Sequence, residues 1–215
     1  MIARLALLLG GLFAVLLTPP FALSYFLSYG EPNESPPGWL AQLQDPLTNA
    51  GLLDAGSTST YDRYGLLYLA ASMLALVGLA GLLQRQWPGY MPRVRRAWVV
   101  LVTGLGLVAL GILGDYGVSS DIVGGVGFLM TGLGFLTAAA GCGMLGWALA
   151  RDRVASSWTS LRVGAFGLIS VVGGMALIGH IPSGPGLGFV GGALFLGVAG
   201  LGSPHFQGER RPVSP

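Results

Sequence analysis

Apolar runs of about 17 residues or more recur along the whole chain, and a run of that length crosses a bilayer as a helix. No water is available in the hydrocarbon layer, so the backbone must satisfy its own N–H and C=O groups there, and a helix does so within one segment. The chain is 53% hydrophobic and only 9% charged, with a mean hydropathy of +0.69. Soluble domains carry roughly 25% charged residues. The expected fold class is therefore all-α, a polytopic transmembrane bundle. Its helices are read at Leu5–Tyr29, Tyr64–Leu83, Ala97–Leu113, Ile122–Ala150, Val163–Ile181 and Gly186–Gly202. These six form one domain over 1–202, and 203–215 is a polar tail.

The first run also has the outline of a signal peptide. Its apolar character resumes after Pro19-Pro20, through Phe21–Leu27, and no small-x-small site stands at a plausible position for cleavage. It is read as a retained helix, kinked near the two prolines. The segment 30–62 is the longest polar stretch and holds Glu31, Glu34, Asp45, Asp54 and Asp62. Within it Trp39, Leu40, Leu43 and Leu47 fall on one helical face. That pattern predicts a short amphipathic helix on the membrane surface, with a lid or docking surface as the functional alternative. Ser59 and Asp62 have the spacing of a capping box at the next helix start.

Placing the N-terminus in the cytoplasm and alternating six helices puts ten of the eleven basic residues, all arginines, inside. These are Arg4, Arg85, Arg93, Arg95, Arg96, Arg151, Arg153, Arg162, Arg210 and Arg211, and only Arg63 is left outside. The positive-inside rule is thus met in every loop. Seven of the nine acids fall outside. Trp87, Trp98, Trp147 and Trp158 gather at the inner boundary, and Tyr25, Tyr29, Tyr61, Tyr64 and Tyr116 at the outer one, as interfacial belts do. The expected location is the cell membrane, with both termini cytoplasmic.

The turn at Gly114-Asp115 aligns with Gly179-His180. The motif V-G-G-x-x-F-L of Val123–Leu129 then matches Val190–Leu196 after a two-residue insertion. This suggests a parallel repeat of helical hairpins. The 37 glycines include small-x-x-x-small spacings at Gly188/Gly192, Ala193/Gly197, Ser170/Gly174 and Thr137/Gly141. Small residues let helix backbones approach closely in lipid. They suit packing within the bundle or a face for another membrane subunit or a second copy.

Several chemistries are excluded. Without lysine there is no retinal or pyridoxal Schiff base. A net charge of +2 offers no nucleic-acid footprint. The single cysteine, Cys142, forms no intramolecular disulfide and reads as a small core residue. His180 and His205 fall on opposite sides and do not share a haem. No catalytic motif stands out, so no enzyme, metal or cofactor is expected. The candidate polar patch, all on the outer side, is Asp62, Arg63, Asp115, Asp121 and His180. Asp and His suit a divalent metal or a proton relay. On the plainer reading, residues at helix ends reach water, cap helices or pair with one another. The expected function is a non-enzymatic accessory subunit or scaffold acting by helix association. The alternatives are a small-solute or ion transporter using the outer patch, and a membrane metal-binding sensor or enzyme.

Overall fold

The computed structural model describes residues 2–30, 34–54, 58–86, 91–118, 120–153 and 157–192. Residues 193–202 of the expected sixth helix, the tail 203–215 and Trp87 lie outside these residues, as do the side chains of Arg4, Arg85 and Trp158. The described chain is helical: α1 (Ile2–Ser28), α2 (Gly38–Ala41), α3 (Gln44–Asn49), α4 (Thr58–Gln86), α5 (Pro92–Gly117), α6 (Asp121–Arg151), α7 (Ser157–Ile178) and α8 (Ser183–Gly186). The last continues through a π-helical turn at Leu187–Gly191. No strand occurs among the described residues.

Five helices are long and apolar enough to cross a membrane, over Leu5–Ser28, Thr58–Gly81, Pro92–Gly117, Asp121–Arg151 and Ser160–Ile178. The ends shift from expectation for local reasons. Helix α5 starts early because Pro92 occupies its first turn, where a missing N–H costs nothing. Helix α4 starts at Thr58, so Ser59 stands inside the first turn and is not the cap. Helix α1 stays one helix through Pro19 and Pro20. Helix α7 stops at Ile178 because Gly179 takes φ +74° and donates its N–H to the Met175 carbonyl at 2.7 Å. This is a left-handed helix terminator that favours glycine. The chain then reverses through His180–Pro182 and re-enters as α8, followed as far as Gly192.

Glycines set how closely these helices approach. Gly104 and Gly111 of α5 meet Gly134 and Gly127 of α6 in an antiparallel pair, and Gly141 of α6 lies against the backbone of Leu101. Both sets repeat every seven residues, the spacing that keeps one seam facing a partner helix. A methyl group at Gly134 would stand 2.7 Å from the Val108 nitrogen, and one at Gly127 2.5 Å from the Asp115 nitrogen. The α7–α8 hairpin uses the same device. Gly184 packs on Gly174, Gly188 on Ser170 and Gly192 on Phe166.

The helices pack in chain order, α1 on α4, α4 on α5, α5 on α6, α6 on α7, and α8 returns between α7 and α1 to close a ring. Phe189 of the π-helical turn lies inside it, stacked on Phe135 at 6.0 Å and edge-on to Phe166 at 5.9 Å. Cys142 is buried, as a core residue. Trp98 is buried too, so it belongs to the core and not to an exposed belt.

The segment between α1 and α4 packs on the bundle itself. Leu40 and Leu53 are buried against Ala22, Leu23 and Ile178. The Trp39 indole N–H donates to the Leu177 carbonyl at 3.0 Å, and the Tyr64 hydroxyl donates to the Leu52 carbonyl at 2.6 Å. The expected amphipathic helix is thus two short helices, α2 and α3, that turn their apolar side onto the ends of α1 and α7.

Candidate functional site

The polar residues gather at the end of the bundle where α7 turns into α8. The turn carries His180 inward, and its imidazole is only 4% exposed. Its Nδ1 lies 2.6 Å from Ser183 Oγ in the first turn of α8, and its Nε2 lies 3.1 Å from the Tyr61 hydroxyl. The Tyr61 hydroxyl in turn lies 2.7 Å from that of Tyr116. Tyr116 also interacts with the neighbouring Asp115 side chain. Four elements, α4, α5, the α7–α8 turn and α8, thus contribute to one hydrogen-bonded chain.

Aromatic rings enclose this chain. Tyr25 stacks on the imidazole at 4.1 Å, and Phe21 meets it edge-on at 5.5 Å. Phe21 also packs on Tyr61, Tyr68 and Tyr116. Phe21, Tyr25 and Tyr29 are spaced by four residues along α1 and its C-terminal end, which puts them on one face. Two glycines make room: Gly65 lies against the Tyr116 ring and Gly186 against the Tyr68 ring, where a Cβ would clash.

Burial pushes the His180 imidazole down to about 3, so the ring is neutral at ordinary pH. A neutral imidazole has one donor and one acceptor nitrogen. The chain is therefore polarised as a unit. Either the Tyr61 hydroxyl donates to Nε2 and Nδ1–H donates to Ser183, or Ser183 donates to Nδ1 and Nε2–H donates to Tyr61. At the rim, the phenol of Tyr29 is held above its usual range, first by burial and then by the charges of Asp62 and Asp115.

Of the residues singled out by sequence, the structure brings His180 into this cluster, and Asp62 and Asp115 adjoin it as the chain neighbours of Tyr61 and Tyr116. His180 does not reach water, as a residue at a helix end is expected to, because the turn folds it under α1. Asp62 and Asp115 are partly buried, and Arg63 and Asp121 are exposed. Asp121 begins α6, where a carboxylate suits the positive helix end. Among the described residues no group of three His, Cys, Asp or Glu side chains is placed to hold a metal ion.

The chain matches no family model, no curated protein and no solved structure. Its functional reading therefore rests on its own residues.

Tyr61, Tyr116, Tyr25 and Ser183 are the site residues that sequence reasoning missed. Their position near helix ends gives the tyrosines the signature of an interfacial belt. The pointer to their inward position is the alignment of Phe21, Tyr25 and Tyr29 on one helix face, joined by Tyr61 and Tyr68 at a spacing of seven.

Proposed function

We propose that this chain is a non-enzymatic membrane subunit or scaffold, held in the cell membrane with both termini cytoplasmic, that acts by helix–helix association. The observation that supports this reading is the uncovered side of α6. Only 28% of the apolar stretch of α6 is buried within the bundle, against 50% in α5. Gly125 and Gly132 lie on its open side with nothing within 4 Å of where a side chain would begin. The inward glycines of α6, at Gly127 and Gly134, repeat at the same interval and seat α5. Small residues in lipid favour a close helix neighbour, and a second row of them on the open side suits a neighbour outside the chain.

Native mass spectrometry after gentle detergent extraction tests the reading. A stoichiometric membrane partner or a homo-oligomer that Gly132→Leu dissociates supports it. A monomer in the wild type, or an oligomer indifferent to Gly132→Leu, removes it.

A second reading, a small-solute or ion transporter, is favoured by the hydrogen-bonded chain from Tyr116, beside the partly buried Asp115, to Ser183 at the start of α8. It predicts solute flux in proteoliposomes that Asp115→Asn abolishes. The packing of Phe21, Tyr25 and His180 weighs against it, because rings fill the space a solute would enter.

A further inference from the structure

We infer that the arginine-rich end of α5 and α6 is a binding site for an anionic phospholipid. The site is built around one ion pair. Arg93 in the first turn of α5 meets Asp152, just after α6, at 3.2 Å. The Asp152 side chain is 5% exposed, so it serves as an internal anchor and not as a surface charge. Within a helical turn of this bridge stand Arg95, Arg96, Arg151 and Arg153. The stretches 92–96 and 151–153 thus carry five arginines and one carboxylate. Arg96, Arg151 and Arg153 are exposed.

The geometry selects a lipid over a soluble anion. Gly143, Trp147 and Arg151 are spaced by four residues and share one face of α6. The Arg151 guanidinium lies over the Trp147 ring at 5.2 Å, and that ring is 56% exposed on the outside of the bundle. One turn further into the span, Gly143 has nothing within 4 Å of its absent side chain. The line therefore offers a shallow notch, then an amphipathic indole, then a fixed guanidinium. That order matches an acyl chain, a glycerol region and a phosphate. Arginine suits the phosphate because its planar fork donates two parallel hydrogen bonds. Basic clusters beside spans bind anionic headgroups in this way. The inference is independent of the association reading above.

The test uses the full chain in mild detergent, mixed in turn with phosphatidylglycerol, phosphatidylcholine and inorganic phosphate. Native mass spectrometry reads retention and thermal unfolding reads stabilisation. The expected result is that phosphatidylglycerol is retained and raises Tm, while phosphatidylcholine and phosphate do neither. Arg151→Gln and Arg153→Gln should each weaken phosphatidylglycerol retention about fivefold, and Arg63→Gln, at the opposite end, should leave it unchanged. Equal retention of phosphatidylcholine overturns the proposal. So does an effect of phosphate equal to that of the lipid, or retention that survives the double variant Arg151→Gln/Arg153→Gln. Should that variant not fold, Trp147→Ala takes its place, with the same loss expected and unchanged retention counting against the site.

Discussion

Tyr61 and His180 share a 3.1 Å hydrogen bond across 119 residues of sequence. The bond ties the start of α4 to the turn after α7, and through Tyr116 it extends to the end of α5. A buried chain of this kind stabilises only while every member has its partner. Tyr61→Phe removes the bridging hydroxyl and leaves both Tyr116 and His180 short of one bond. The expected loss is about 1–3 kcal/mol, read by reversible unfolding in mixed micelles. A double-mutant cycle with Tyr116→Phe should give a coupling of about 1 kcal/mol. Additive losses would show that the two hydroxyls act separately.

His180 also makes stability depend on pH. The folded imidazole stays neutral down to about pH 3, whereas in an unfolded chain it takes a proton near pH 6.5. Between those values the unfolded state binds more protons, so stability is complete above about pH 6.5 and falls as the solution is acidified toward 3. The limiting slope for one proton is about 1.4 kcal/mol per pH unit. Unfolding midpoints at several pH values check this. His180→Phe, which keeps a ring, should flatten the acid limb, and a limb unchanged by that substitution would place its origin elsewhere.

Two glycines of α6 only two residues apart, and so on opposite sides of the helix, should behave in opposite ways. Gly134→Leu drives a side chain into the α5 backbone at Val108 and Gly104. Overpacking of this kind costs about 1–3 kcal/mol or more. Gly132→Leu enters open space and should leave unfolding unchanged while weakening any association of the intact protein. Circular dichroism with thermal melts separates the two outcomes.

The α2–α3 segment should loosen when its ties are cut. Trp39→Phe keeps the ring but removes the bond to the Leu177 carbonyl, and Tyr64→Phe removes the bond to Leu52. Each costs about 1 kcal/mol. Faster hydrogen exchange confined to residues 38–53 is expected, with the spans unaffected. Uniform acceleration throughout the bundle would mean that the segment is integral to the core.

The spans were legible because a membrane helix writes itself as a local run of apolar residues. The turn at Gly179 was less so, since apolar Ile178 and Ile181 on either side hide the end of helix α7. The assembly of the polar cluster was not legible for a different reason. His180, Tyr61 and Tyr116 stand far apart in sequence, and a tyrosine near a helix end has the same local signature whether it faces headgroups or a buried histidine. The seven-residue glycine rows of α5 and α6 are present in the sequence, but among 37 glycines many spacings coincide and only packing selects the rows that face a partner. The segment 38–53 showed its amphipathic pattern, yet a pattern alone does not say whether the apolar side meets lipid or protein.

The return of α8 between α7 and α1 has a consequence for how the protein is made. The face of α1 that carries Phe21 and Tyr25 is completed by residues that leave the ribosome after all five long spans. Until then the first helix waits in the bilayer with these aromatic rings and no imidazole beside them. Assembly of this end therefore finishes with the last of the described segments, and a nascent chain halted before Gly179 would hold its spans without its polar cluster.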